Sequence, residues 1–308
     1  MTQMNNNPKA LSLLELQEAN LEAVSIIVAE VKALLDVPEE DRSDPVVHTL
    51  HNLTKYLSDR SQAVSMLVSW GYAWDAEIIL RSFYETAAKI LFICFAEKDK
   101  RQELANEFWL EFEAIHSIKI ARKANFAENV YNKEKDGYSA SVFSALQDSG
   151  LHPLKKKHTK AERKIIEQRW SFSEIIEELS KINKDGKNLA DVKGFLHIYG
   201  IASHLIHADK TAMEFMLDRS LREESERKII EASHTGRIFS DQASLWLFCA
   251  DAIRECLEKE FSNKDKVINA YNKVIEMGKP FSQMFADSQE QFYKDMGIRI
   301  SDVPSLNV

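Results

Sequence analysis

Residues 199–209, YGIASHLIHAD, space Tyr199, Ser203 and His207 four apart, with His204 and Asp209 beside them. On a helix that interval makes one row of side chains, and the 3.6-residue period brings His204 close to the Tyr199 side. A phenol, a hydroxyl and two imidazoles in one row could move protons, because an imidazole titrates near neutrality and can act as general acid or base. The alternative is a polar seam in a helical core, with His207 a hydrogen-bonded packing residue. His204 and His207 alone do not make a metal site, which needs further carboxylates or imidazoles from another helix. No metal and no cofactor are expected.

A second row is Glu77, Arg81, Glu85 and Lys89, again at intervals of four. Acid precedes base in Glu77–Arg81 and in Glu85–Lys89, the favourable helical orientation, worth roughly 0.2–0.5 kcal/mol per pair. Ile78, Ile79, Leu80 and Phe83 leave this row little room for exposure. It is either a narrow solvated stripe or a buried network in which Arg81 must find a partner, since an unpaired buried charge is very costly.

Two Glu-x-x-His units, Glu113–His116 and Glu231–His234, fit the ligand pattern of a di-metal helical bundle, an alternative kept open. Chance supplies such pairs in a Glu-rich chain, and His234 also suits a helix C-terminus. Arg42–His48 and Arg227–His234 match the Arg-x(4–6)-His spacing of HEPN-class ribonucleases. There is no Gly-rich phosphate loop, no Gly-x-Ser-x-Gly and no Cys-x-x-Cys. The one basic run, KKKHTKAERK at residues 155–164, is either a solvated helix start or a nucleic-acid contact.

The elements that must position these rows are helices. Nine glycines and six prolines in 308 residues are few, against roughly 7% and 5% in average usage, and both residues interrupt helices. No alternating strand pattern flanked by turn signals is found. The reading is an all-α, multi-helix bundle of about nine to eleven helices, forming a single domain. An amphipathic helix ends at Pro38, a second runs from Pro45 to about Trp70, and an apolar central helix follows Gly71. Further helices are read over Lys100–Phe126, from about Asp191 past His207 through Leu217, up to a stop at Gly236, and through to Gly278. Residues 128–160 read as a polar, lid-like insert, and residues 301–308 as a frayed tail.

A formal charge of −8 disfavours nucleic-acid binding through the whole surface. Cys94, Cys249 and Cys256 lie in apolar surroundings and read as reduced core cysteines. The N-terminal MTQMNNNPKAL lacks a signal pattern and no apolar run reaches 18 residues. A cytoplasmic protein with no membrane partner is therefore expected.

SWGYAWDAEIILRSFYETAAKILFICF, RWSFSEI and YGIASHLIHAD together resemble the bacterial family of unknown function DUF5677, over about residues 50–215. The resemblance implies an all-α fold in which Arg81, Glu85, Tyr199, Ser203 and His207 converge between central helices. A looser similarity to HEPN-like proteins implies RNA cleavage, or a role in a toxin or phage-defence system. Neither Arg–His match falls on Arg81 or His207. Two expectations follow. One is a metal-independent ribonuclease with Arg81 on a phosphate, His207 as acid or base, and RNA held by Lys155, Lys156 and Lys157. The other is a non-enzymatic interaction module with a buried polar network. A homo-oligomer and a protein partner from the same operon are expected partners.

Overall fold

The computed structural model describes residues 13–133, 157–184 and 187–295. It is an all-α bundle. Helix α1 (Leu13–Leu35) ends short of Pro38, and a 3-10 turn (Glu39–Ser43) leads to α2 (Pro45–Ser69). Asp44 caps α2, its Oδ1 accepting from the amides of Val46 at 2.8 Å and Val47 at 3.0 Å. Pro45 sits in the first turn, where it has no amide hydrogen to lose. Gly71, at φ 81°, makes the left-handed turn into α3 (Ala73–Phe95).

There follow α4 (Lys98–Asn106), α5 (Glu113–Lys133), α6 (Lys160–Arg169), α7 (Phe172–Ser180), α8 (Gly194–His207), α9 (Lys210–Leu221), α10 (Glu224–Cys256) and α11 (Lys264–Asp295). Among the described residues the extended structure is a two-residue antiparallel pair, β1 (Asn183–Lys184) and β2 (Lys187–Asn188). No helix of the described residues is long and apolar enough to cross a membrane.

Helix α3 lies at the centre, as its apolar circumference requires. Leu80, Phe83, Ile90 and Ile93 have no exposed surface, and they share a core with Leu16 and Ile27 of α1, Leu50 and Leu57 of α2, and Phe239, Trp246 and Ile253 of α10. One polar chain crosses this core. Asn20 donates to Gln242 at 2.6 Å; Gln242 donates to the Ser61 hydroxyl at 2.7 Å, and Trp246 Nε1 donates to the same hydroxyl at 3.1 Å. These buried donors find acceptors within the core, while Asn20 Oδ1 is left without a hydrogen-bond partner among the described residues.

Four helix boundaries differ from the sequence expectation. Gly236 does not stop α10, which runs on to Cys256. A Cβ at Gly236 would stand 3.2 Å from the Cβ of Phe281, so this glycine permits a close crossing of α10 and α11. Gly278 lies inside α11 at the same crossing, where a Cβ would meet Ser240 Oγ at 2.9 Å. The helix read through His207 is broken by Ala208, at φ 47°, and Asp209 then caps α9 through the Ala212 amide at 3.2 Å. The Lys100–Phe126 helix is interrupted by a π-helical segment, Glu107–Phe112. Of the expected insert, residues 128–133 continue α5, residues 157–160 precede and begin α6, and residues 134–156 lie outside the described residues, as does the 301–308 tail.

Candidate functional site

The Arg81 row and the Tyr199 row meet between α3 and α8. Arg81 donates from Nη2 to the Tyr199 hydroxyl at 2.7 Å and from Nη1 to Ser203 Oγ at 3.4 Å. Its Nε lies 3.3 Å from Glu85 Oε1. The Tyr199 hydroxyl donates in turn to Glu85 Oε1 at 2.7 Å. Tyr199 is held from two sides: its ring stacks on Phe172 of α7 at 4.1 Å, and the Arg81 guanidinium carbon lies 4.6 Å from its centroid.

The result is a closed, charge-neutral network whose arginine side chain is 21% exposed and whose glutamate side chain is 34% exposed. Burial, followed by the hydrogen bond to Glu85, raises the Tyr199 pKa above its usual value, so the phenol stays protonated and keeps donating. One turn along, burial lowers the Lys89 pKa against the pull of Glu85.

The histidines of α8 lie at its end. His204 Nδ1 is 2.6 Å from Asp209 Oδ2, both side chains are less than half exposed, and Nε2 is the ring nitrogen facing away from that pair. The hydrogen bond from His204 leads the causes that lower the Asp209 pKa. His207, the last residue of α8, is exposed and is not among the partners of Arg81. Of the predicted residues, Arg81, Glu85, Tyr199 and Ser203 come together, His204 pairs separately with Asp209, and His207 stands apart.

Glu77 takes a different direction from the rest of its row. It is fully buried against α10, where Arg237 Nη2 donates to its Oε2 and His234 Nε2 lies 3.4 Å away. Arg237 also holds Asp241 one turn on. His234 stacks on Trp74 at 4.3 Å, and Arg219 of α9 lies over the same indole at 4.7 Å while donating to Glu231 at 3.0 Å. Burial raises the pKa of Glu77 and of Asp241 against the opposing pull of Arg237. Burial, then Arg237 and Arg219, push His234 down to about 3, so it is neutral. Burial opposes the Arg237 charge, yet Asp241 and Glu77 raise its pKa.

Sequence reasoning found Glu77 but missed Arg237, Asp241 and His234 as its partners. The available signal was the Arg237–Asp241 interval of four, base and acid on either side of the apolar pair Ile238 and Phe239.

The other spacings resolve into local contacts. Glu231 pairs with Arg219, and His116 packs on Phe112 at 4.4 Å. Arg42 pairs with Asp36 at 3.8 Å, while His48 packs near Trp109 at 5.1 Å. Among the described residues no group of three or more His, Cys, Asp or Glu side chains is placed to hold a metal ion. Lys157 and His158 both pair with Glu111; Lys155 and Lys156 lie outside the described residues.

The model of a family of unknown function, DUF5677, matches residues 48–226, more than half of the chain. The matched span includes α3, α8 and α9, and with them Arg81, Glu85, Tyr199, Ser203, His204 and His207. Arg237 and Asp241 fall outside it. Comparison with curated proteins gave no match, and comparison with solved structures gave none.

Proposed function

The chain belongs to the DUF5677 family, whose function is unknown, and we propose that it is a non-enzymatic helical interaction module that pairs with a second copy of itself through α9. The observation that carries this reading is the outer face of α9. Met213, Met216, Leu217 and Leu221 are 48%, 58%, 57% and 76% exposed. Their spacing of three and four puts them on one helical stripe. Its one buried residue is Ala212, so the apolar stripe is turned away from the bundle. A contiguous exposed apolar stripe marks an interaction surface, and methionines adapt to the shape they meet.

The rim of the stripe favours a second copy. Lys210 pairs with Glu214 at 3.4 Å, and Arg222 pairs with Asp218 at 2.7 Å. Opposite charges thus balance along α9, and a charge-balanced rim does not repel its own image across a two-fold axis. The polar networks behind it then have a structural task. Arg81–Tyr199–Glu85 fixes α8 to α3, and Arg219 fixes α9 over Trp74. The test is the mass of the purified protein in solution, compared with Leu217→Glu.

One observation favours a second reading, action on RNA as in HEPN-like effectors of phage-defence systems. His204, with Asp209 holding Nδ1, has the arrangement of an oriented general base, and Ser203 beside it is already in contact with Arg81. On this reading activity survives a chelator and is lost in His204→Ala and Arg81→Ala. RNA left equally intact by wild type and His204→Ala, alone and with a protein encoded beside it, contradicts it.

A further inference from the structure

Helices α3 and α10 run parallel and in register. Glu77 meets Arg237, Phe83 lies 6.2 Å from Trp246, and Cys249 Sγ lies 3.9 Å from the Ala87 carbonyl oxygen, so contacts advance in the same direction on both helices. Seven residues beyond Ala87 is Cys94; seven beyond Cys249 is Cys256. Two helical turns on each side carry the Ala87–Cys249 contact to a Cys94–Cys256 contact. Both thiols are buried, at 3% and 8% exposure. Arg101 ties the two helix ends together, donating to the carbonyl oxygen of Ala96 at 3.1 Å and to that of Cys256 at 3.0 Å.

From this register we infer that Cys94 and Cys256 are a redox pair that closes to a disulfide across the C-terminal ends of α3 and α10 when a small hydroperoxide reaches Cys256. Contact positions of packed helices bring Cα atoms into the range a disulfide spans. The two cysteines have different parts. The Cys94 thiol beside Cys256, with the nearby Arg101 charge, lowers the Cys256 pKa. Burial, and then the neighbouring Cys256, raise the Cys94 pKa. Cys256 is therefore the more readily ionised of the two and the attacking sulfur.

It displaces hydroxide from hydrogen peroxide and becomes a sulfenic acid. The Cys94 sulfur then attacks the Cys256 sulfur, the S–S bond forms, and the sulfenic oxygen leaves as water with the Cys94 proton. Two thiols are oxidised and one peroxide is reduced. Cys249 is excluded from this exchange: its thiol faces the Ala87 carbonyl, and burial raises its pKa far from the thiolate range.

The test is to treat the full chain with hydrogen peroxide, denature it in an alkylating agent, digest it without reductant and identify linked peptides by mass. The expected result is one intramolecular Cys94–Cys256 peptide, two hydrogens lighter than the thiol pair, with Cys249 alkylated. Reductant should abolish it, Cys249→Ser should retain it, and Cys94→Ala and Cys256→Ser should lose it. Over-oxidation of Cys256 without a link, a link to Cys249 or between chains, or no oxidation at all overturns the inference. The peptide mapping is made on the wild type, so the outcome does not depend on whether a variant folds.

Discussion

Arg237 donates to Oε2 of Glu77, a carboxylate with no exposed surface, across 160 positions of sequence. The pair ties the first turns of α3 to the middle of α10 and sets the register of two helices that share the core. It is worth most as a matched set, because removing one partner leaves a charge in a medium that cannot solvate it.

Arg237→Met is therefore expected to destabilise the protein by about 3–5 kcal/mol, the range for stranding a buried partner. The loss should depend on pH. Burial already raises the pKa of Glu77 and Asp241 in the folded state. The folded protein then binds those protons more tightly than the unfolded chain does, so stability falls as pH rises from the ordinary carboxylate range through the raised folded values. Without Arg237 the raise is larger. Urea unfolding midpoints of variant and wild type should lie closer together at about pH 5 than at about pH 8, where both carboxylates are forced to ionise.

At the α3–α8 junction, Tyr199→Phe keeps the stack on Phe172 and deletes only the hydroxyl that bridges Arg81 and Glu85. The expected cost is about 1–2 kcal/mol, that of a hydrogen bond to charged groups in a partly exposed site. Glu85→Ala, which leaves Arg81 with neutral partners only, should cost more than Arg81→Met. Equal unfolding free energies for wild type, Tyr199→Phe and Glu85→Ala would show that the network carries no stability.

Ala208 occupies the left-handed region at φ 47° between α8 and α9. That conformation costs an alanine roughly 1 kcal/mol and a glycine almost nothing. Ala208→Gly should raise the unfolding free energy by about 0.5–1 kcal/mol, read by denaturant titration, with the helical circular dichroism unchanged.

These relationships were unequally legible in the sequence. Scarce glycine and proline announced an all-helical chain, and the interval of four announced two polar rows, Arg81 with Glu85 and Tyr199 with Ser203, whose meeting was implied only by the resemblance to DUF5677. Helical periodicity is local, and those rows needed only two helices to meet. The partner of Glu77 could not be read that way, because nothing local links residue 77 to residue 237. Gly236 carried a stop signal, but its task is to let Phe281 approach. Ala208 was hidden for the opposite reason: alanine is the strongest helix former, yet here it makes the left-handed turn that leads into the Asp209 cap of α9.

The central claim, that α9 joins two copies of the chain, is tested most directly by sedimentation velocity over a dilution series of wild type and Leu217→Glu. The stripe of Met213, Met216, Leu217 and Leu221 predicts a wild-type dimer that dissociates on dilution. Leu217→Glu should sediment as a monomer at every concentration with its helical content intact, because position 217 is 57% exposed and a glutamate there burdens the interface and not the core. A wild type that sediments as a monomer throughout, or a Leu217→Glu variant that remains a dimer, would contradict it.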